Sequence, residues 1–223
     1  MFAILALGFF IGLKHALEAD HLAAVATIAS RHNRPVDIVK HGLTWGLGHA
    51  LTLFALGGAA FLLGNAIPDS LASALEFAVG VMLLLLGAQV LWRLWKSRVH
   101  VHVHEHQGER HLHLHSHEEK PGHEHQHGFR WRTLVVGFMH GMAGSAALLV
   151  LAMTQVRDPV RGLAYILVFG VGSMVGMGAL SLLIAVPLSL SARFLTLANN
   201  GLQVVIGVCT VGLGAWTMYS HLP

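Results

Sequence analysis

The sequence predicts an all-α polytopic membrane protein with six transmembrane helices arranged as two inverted three-helix repeats. Of its 223 residues, 54% are hydrophobic and 11% are charged, whereas soluble domains carry about 25% charged residues. A helix that crosses the bilayer core takes about 20 apolar residues. Six stretches are long enough, at residues 2–29, 41–64, 71–95, 131–155, 160–188 and 197–220.

The two halves of the chain resemble each other in three ungapped segments, and the offsets between the paired segments are nearly equal. The segments are residues 12–25 with 137–150, 46–52 with 170–176, and 75–88 with 202–215. The first match pairs Gly12 with Gly137 and His15 with His140. Three spans in each repeat force the halves into opposite orientations, and inverted repeats of this kind are typical of secondary transporters.

The domain order follows from these spans. Residues 1–95 form the first three-helix repeat and residues 131–223 the second. Residues 96–130 are a polar, His-rich segment that we expect to be disordered. Lys and Arg concentrate around this segment and after the first span, so the positive-inside rule places the segment in the cytoplasm and both termini outside the plasma (inner) membrane. The N-terminus lacks a basic leader and is expected to be a retained span.

Ionisable side chains stand in the middle of the first span, within "GLKHALEADHLAAV" (12–25). They are Lys14, His15, Glu18, Asp20 and His21. A charged group at the bilayer centre costs about 2.5–3.5 kcal/mol on insertion scales, and such groups normally mark an ion path or a proton relay. An ion pair between Lys14 and Glu18 at i,i+4 is the purely structural alternative, but it leaves Asp20 and His21 unexplained.

Two histidines and a carboxylate in one short stretch suit a divalent transition-metal ion, since neutral imidazole binds Ni, Co, Cu and Zn. On a regular helix, His15 and His21 point about 120° apart. We therefore expect the helix to be distorted near residues 18–20, or other spans to complete the site. The candidate ligands are His15, Glu18, Asp20, His21, His49 and His140. Accessory roles are assigned to Lys14, as a counter-charge, and to Ser145.

The motifs around these residues carry a family resemblance. "HALEADH" (15–21) resembles the H-x4-D-H motif of the nickel/cobalt transporter family, and "LGHA" (47–50) is similar to its second motif. "GFMHGMAGSAA" (137–147) lacks the aspartate–threonine pattern of the family's importers and resembles the shorter UreH-type branch, which is associated with nickel supply to urease. The long His-rich segment is similar to that of the efflux branch. The resemblance implies nickel or cobalt transport, with no cofactor beyond the transported ion, and leaves the direction open.

The His-rich segment contains eleven of the 18 histidines, most of them spaced i,i+2. In an extended chain this spacing lines them on one face, and such tracts bind metals. The expected metal-buffering residues are His100, His102, His104, His106, His111, His113, His115, His117, His123, His125 and His127. Acidic and basic side chains balance within the segment, which argues against nucleic-acid binding.

Other functions fit the sequence less well. A zinc or other divalent-metal carrier, or a metal exporter, would use the same ligands. An exporter of small anions is disfavoured because the first span carries two carboxylates against one lysine. An intramembrane serine protease built on Ser145 lacks the G-x-S-G pattern, so we expect no enzyme. The expected partners are divalent metal ions and the bilayer, and a homo-oligomer and a cytoplasmic metallochaperone are left open.

Overall fold

The computed structural model describes residues 2–32, 34–64, 68–96, 100–106, 109–115, 131–143, 158–194 and 196–222. Its helices are α1 Phe2–His15, α2 Ala19–Ala29, α3 Pro35–Thr52, α4 Gly58–Leu63, α5 Asp69–Lys96, α6 Trp131–Ala143, α7 Pro159–Phe194 and α8 Thr196–Ser220. A π-helical segment, Leu53–Gly57, joins α3 to α4 without a break. The two strands, β1 His100–His106 and β2 Glu109–His115, lie in the His-rich segment.

Several of the described helices are long and apolar enough to cross a membrane. Four candidate spans are found among the described residues, at Pro35–Leu63, Asp69–Lys96, Pro159–Leu188 and Asn199–Ser220, and the bent pair α1–α2 makes up to five. The prediction of a helical, polytopic membrane protein is therefore confirmed. The fourth predicted span, residues 131–155, is described only over α6, and its remainder lies outside the described residues.

The first span is broken in its middle. Helix α1 ends at His15 and α2 begins at Ala19, with the two axes bent by 59°. Across the break, the N–H groups of Leu17 and Glu18 donate to the carbonyls three residues before them. Glu18 itself has extended backbone, with φ −65° and ψ 152°. The break lies at residues 16–18, at the N-terminal side of the distortion that the sequence predicts near residues 18–20.

Glycines set the distance between the helices. A Cβ atom on Gly12 of α1 would collide with the carbonyl of Phe169 on α7, and one on Gly137 of α6 would collide with the carbonyl of Trp45 on α3. Helices α5 and α8 approach through a similar set of glycines. Small residues of this kind let backbones pack closely in lipid, where no hydrophobic force draws helices together. The largest core cluster lies beside the break and includes Ala16, Trp45 and Met177.

The His-rich segment contains regular structure that the sequence interpretation did not expect. Strands β1 and β2 pair antiparallel, with His100 opposite His115, His102 opposite His113 and His104 opposite His111. In "HVHVHEH" and "ERHLHLH" most histidines alternate with other residues, Val or Leu among them, and a period of two with β-branched residues favours strands. We expected disorder because the segment is polar. Its residues 116–130 lie outside the described residues.

A substitution at Gly12 tests this packing. Gly12→Ala should destabilise the protein by about 1–3 kcal/mol, because the methyl group overlaps the backbone of α7. Gly212→Ala is the matched control, since a Cβ atom there meets nothing within 4 Å, and it should leave stability unchanged or raise it by about 0.5–1 kcal/mol. Thermal unfolding in detergent measures both. Equal melting temperatures for the two variants would contradict the close contact between α1 and α7.

Candidate metal centre

Histidines from both halves of the chain meet at the break in the first span. Because the span bends there, the ring centroids of His15 and His21 lie 4.4 Å apart. His49 of α3 lies 5.4 Å from His15 and 5.0 Å from His21, again between ring centroids. His140 of α6 approaches His21 to 4.3 Å. Four imidazoles from four different helices therefore form one cluster.

This cluster is inside the protein. The exposed fraction is 1% for His21, 0% for His49 and 2% for His140. The His15 side chain is 12% exposed. Groups that are removed from water in this way must find partners within the protein or bind a ligand, because an unsatisfied buried polar atom costs about 1–3 kcal/mol.

Two carboxylates lie behind the imidazoles. Oε1 of Glu18 lies 3.0 Å from Nδ1 of His15. Asp20 contacts two rings: Oδ1 is 2.9 Å from Nδ1 of His21, and Oδ2 is 3.0 Å from Nε2 of His140. A carboxylate accepts hydrogen bonds, so the bonded nitrogen of each ring carries the proton and the other nitrogen carries a lone pair. This hydrogen-bond network therefore assigns the tautomers of three histidines.

The nitrogens with lone pairs have no partner among the described residues. They are Nε2 of His15, Nε2 of His21 and Nδ1 of His140. Both nitrogens of His49 also lack a partner there, and in the neutral ring one of them carries the lone pair. The side chains of His15, His21 and His49 offer ligand atoms that all lie within 4.8 Å of one another. Asp20, His21 and His140 form a second group of the same kind. In the first group the lone-pair nitrogens have no hydrogen-bond partner among the described residues, whereas in the second group His21 and His140 each donate a ring N–H to Asp20.

The first group therefore has the chemistry of a three-histidine metal site. Carboxylate–histidine pairs of this type orient the ring and raise the basicity of the nitrogen that faces the metal. Glu18 and Asp20, which the sequence offers as candidate ligands, lie where they can play this orienting role. The structure brings together His15, Glu18, Asp20, His21, His49 and His140. It pairs Glu18 with His15 and leaves Lys14 exposed. Ser145 lies outside the described residues.

Sequence reasoning missed two residues beside this centre. Trp45 is fully buried, and its ring centroid lies 5.4 Å from that of His21 and 5.2 Å from that of His140. It precedes His49 by four positions, so both lie on one face of α3, and this spacing could have identified it. Glu76 of α5 lines a cavity together with Glu18 and Asp20. A lone carboxylate within an apolar span was the signal available for it.

Comparisons with known proteins show which family the chain resembles. Residues 3–216 match the family described as cytochrome C biogenesis protein transmembrane region. The chain is 36% identical over 220 residues to the urease accessory protein UreH of Bacillus sp. (strain TB-90). The alignment covers 99% of this chain and 92% of the relative. No solved structure matches the chain.

Substitutions in the centre separate ligands from orienting groups. Alanine at His21 or His49 should remove the tight metal site, whereas Asp20→Asn should weaken binding by about 10–100-fold, because it disturbs a ring without removing its lone pair. Calorimetry with Ni²⁺ measures this in a chain that lacks residues 100–127, so that the loop histidines do not contribute. His32→Ala, beyond the end of α2, is the control and should bind like the parent. Complete loss of binding in Asp20→Asn would indicate that Asp20 is itself a ligand.

Proposed function

This chain belongs to the UreH-type family of membrane proteins, and we propose that it moves a divalent transition-metal ion, nickel or cobalt, across the bilayer. The observation that carries the proposal is the set of buried imidazoles of His15, His21 and His49, whose free nitrogens converge at the break in a membrane span. The relative is named a urease accessory protein, which agrees with the nickel supply to urease that the resemblance of residues 137–147 implies.

The chemistry of the centre suits such an ion. Imidazole is a good ligand for Ni²⁺, Co²⁺ and Zn²⁺ alike, so the choice of nickel or cobalt rests on the family. Glu18 and Asp20 supply negative charge that compensates the arriving dication. Binding needs unprotonated ligands, so affinity should fall as the pH is lowered.

A carrier based on a thiol pair would need two cysteines, and the chain has one, Cys209. The protein is a membrane protein and not an enzyme.

We propose that the two halves are inverted repeats that rock about this centre. Equivalent glycines of the two halves make equivalent contacts: Gly12 meets Phe169 as Gly137 meets Trp45. In the sequence alignment Gly12 corresponds to Gly137, and Trp45 and Phe169 each stand one residue before a matched segment.

The last helix of each half repeats this reciprocity. A Cβ atom on Gly80 would meet the carbonyl of Gly214, and one on Gly87 would meet the carbonyl of Gly207. Gly80 is aligned with Gly207 and Gly87 with Gly214. Exchanging the halves therefore turns one contact into the other, as a two-fold axis between α5 and α8 requires. Secondary transporters with inverted repeats hold their ions at broken helices near such an axis.

The proposed orientation follows from the basic end of the molecule. Arg31, Arg93 and Lys96 line a cavity of about 450 Å³ at the ends of α2 and α5. Burial and the neighbouring Arg93 lower the pKa of Arg31, as expected where cations gather. The positive-inside rule puts this end and the adjoining His-rich segment in the cytoplasm, with both termini outside. The segment then serves as a metal buffer where a cytoplasmic metallochaperone or a second copy of the chain could also engage.

Metal flux tests the proposed function. In proteoliposomes loaded with a nickel indicator, His15→Ala and His49→Ala should reduce Ni²⁺ flux by at least tenfold, since each removes one of three ligands. Cys209→Ser, at an exposed position, is the control and should retain parental flux. Competition with Co²⁺ and Zn²⁺ ranks the ions. Parental flux in both alanine variants, with the proteins correctly inserted, would refute the centre as the transport site.

Deleting residues 100–127 tests the buffer. The deletion should lower the number of Ni²⁺ ions bound per chain, because it removes the loop histidines, while the tight intramembrane site keeps its affinity. Calorimetry of the two proteins side by side gives both quantities. Disappearance of the tight site on deletion would contradict the separation between loop and centre.

A further inference from the structure

A cavity of about 300 Å³ lies against the outer side of the metal centre. It is lined by the break, by α5 and by the end of α8, and its lining residues include Glu18, Asp20, Glu76, Thr217 and His221. Asp20 belongs to both the cavity and the centre, since its carboxylate contacts His21 and His140. A solute in the cavity is therefore one side chain away from the buried imidazoles.

Three carboxylates line the cavity, those of Glu18, Asp20 and Glu76. Glu18 and Asp20 already accept hydrogen bonds from histidines. Glu76 lies seven positions into α5, about 10 Å from the start of the helix, and is partly buried. Within the part of the chain that the structure describes, Glu76 has no hydrogen bond or ion pair. A carboxylate in a span without such a partner is costly, and this position indicates an ion path.

A second and independent observation points the same way. Nε2 of His21 and the nitrogens of His49 are buried and have no partner among the described residues, so the centre is built for a ligand that has to arrive from outside. The basic end of α5, with Arg93 and Lys96, lies about 30 Å from Glu76 along the helix. A cation is repelled there and attracted at the acidic cavity, where low-dielectric walls focus the field.

We propose that this cavity is the aqueous vestibule through which the metal cation reaches the histidine centre, and that Glu76 concentrates the cation at its entrance. The inference rests on the proposed transport function and adds the route and a residue outside the motifs at residues 15–21, 47–50 and 137–147. With the orientation given above, the vestibule opens on the outer face of the membrane. Glu76 acts on the approach of the ion and not on its coordination, so its loss slows association and leaves dissociation unchanged.

Charge-selective labelling tests the vestibule without any metal. In full-length protein with Cys209→Ser, the variant Thr217→Cys should react with a cationic methanethiosulfonate at least tenfold faster than with an anionic one of similar size, because the potential in the cavity favours cations. Adding Glu76→Gln should reduce this ratio several-fold. Asp69→Asn removes a charge from the same helix outside the cavity lining and should leave the ratio unchanged. Val208→Cys lies on α8 like Thr217, at an exposed position outside the cavity lining. It should react slowly with both reagents.

Stopped-flow metal binding completes the test. Glu76→Gln should lower the Ni²⁺ association rate several-fold and weaken its dependence on salt, while Asp69→Asn stays within about twofold of the parent. If the parent binds Ni²⁺ and Glu76→Gln matches it in both labelling ratio and association rate, the vestibule is refuted and the transport function stands. A parent that binds no Ni²⁺ would instead refute the transport function on which the route depends.

Discussion

The break in the first span is the constraint on which the rest of the structure depends. On an unbroken helix His15 and His21 would point about 120° apart, and no single ion could be shared between them. With a bend of 59° their ring centroids lie 4.4 Å apart. Backbone that leaves a helix at membrane depth is tolerated only where protein buries it or water reaches it. Here Ala16 is fully buried and Glu18 faces a cavity, so both conditions are met within three residues.

The two halves contribute unequally to what is built around that break. His15 and His140 occupy equivalent positions, but the residue aligned with His49 is Ser173 and the one aligned with His21 is Ala146. The three imidazoles of the candidate metal site, those of His15, His21 and His49, therefore come from the first half, and the second half supplies His140 as a partner for Asp20. Closely packed glycines repeat in both halves, whereas the ligands do not. The close helix contacts are therefore similar in the two halves, whereas the candidate metal ligands lie mainly in the first half.

Much of this arrangement could be predicted from the sequence. Among the described residues, apolar length located the span ends to within a few residues, apart from the start of α3. That helix begins at Pro35 because proline suits the first helical turn. The cost of charge in lipid identified the cluster of ionisable side chains, and the angle between His15 and His21 on a regular helix predicted a distortion. The sequence could not show which side chains contact one another in the folded protein. Glu18 and Asp20 looked like ligands, and only their distances to His15, His21 and His140 place them behind the rings. Glu76 escaped notice because it stands alone near a span end, and its neighbours in the cavity come from elsewhere in the chain.

The position of Asp20 gives the proposed transport a physical link between ion and helices. Its two oxygens contact His21 of the first half and His140 of the second, so one carboxylate bridges the halves across the centre. An ion on Nε2 of His21 withdraws electron density from the ring, which makes the Nδ1–H a stronger donor to Asp20. Charge-assisted hydrogen bonds respond strongly to such changes. Occupancy of the centre would thereby alter the contact with His140, which is the contact that must change if one half is to move against the other.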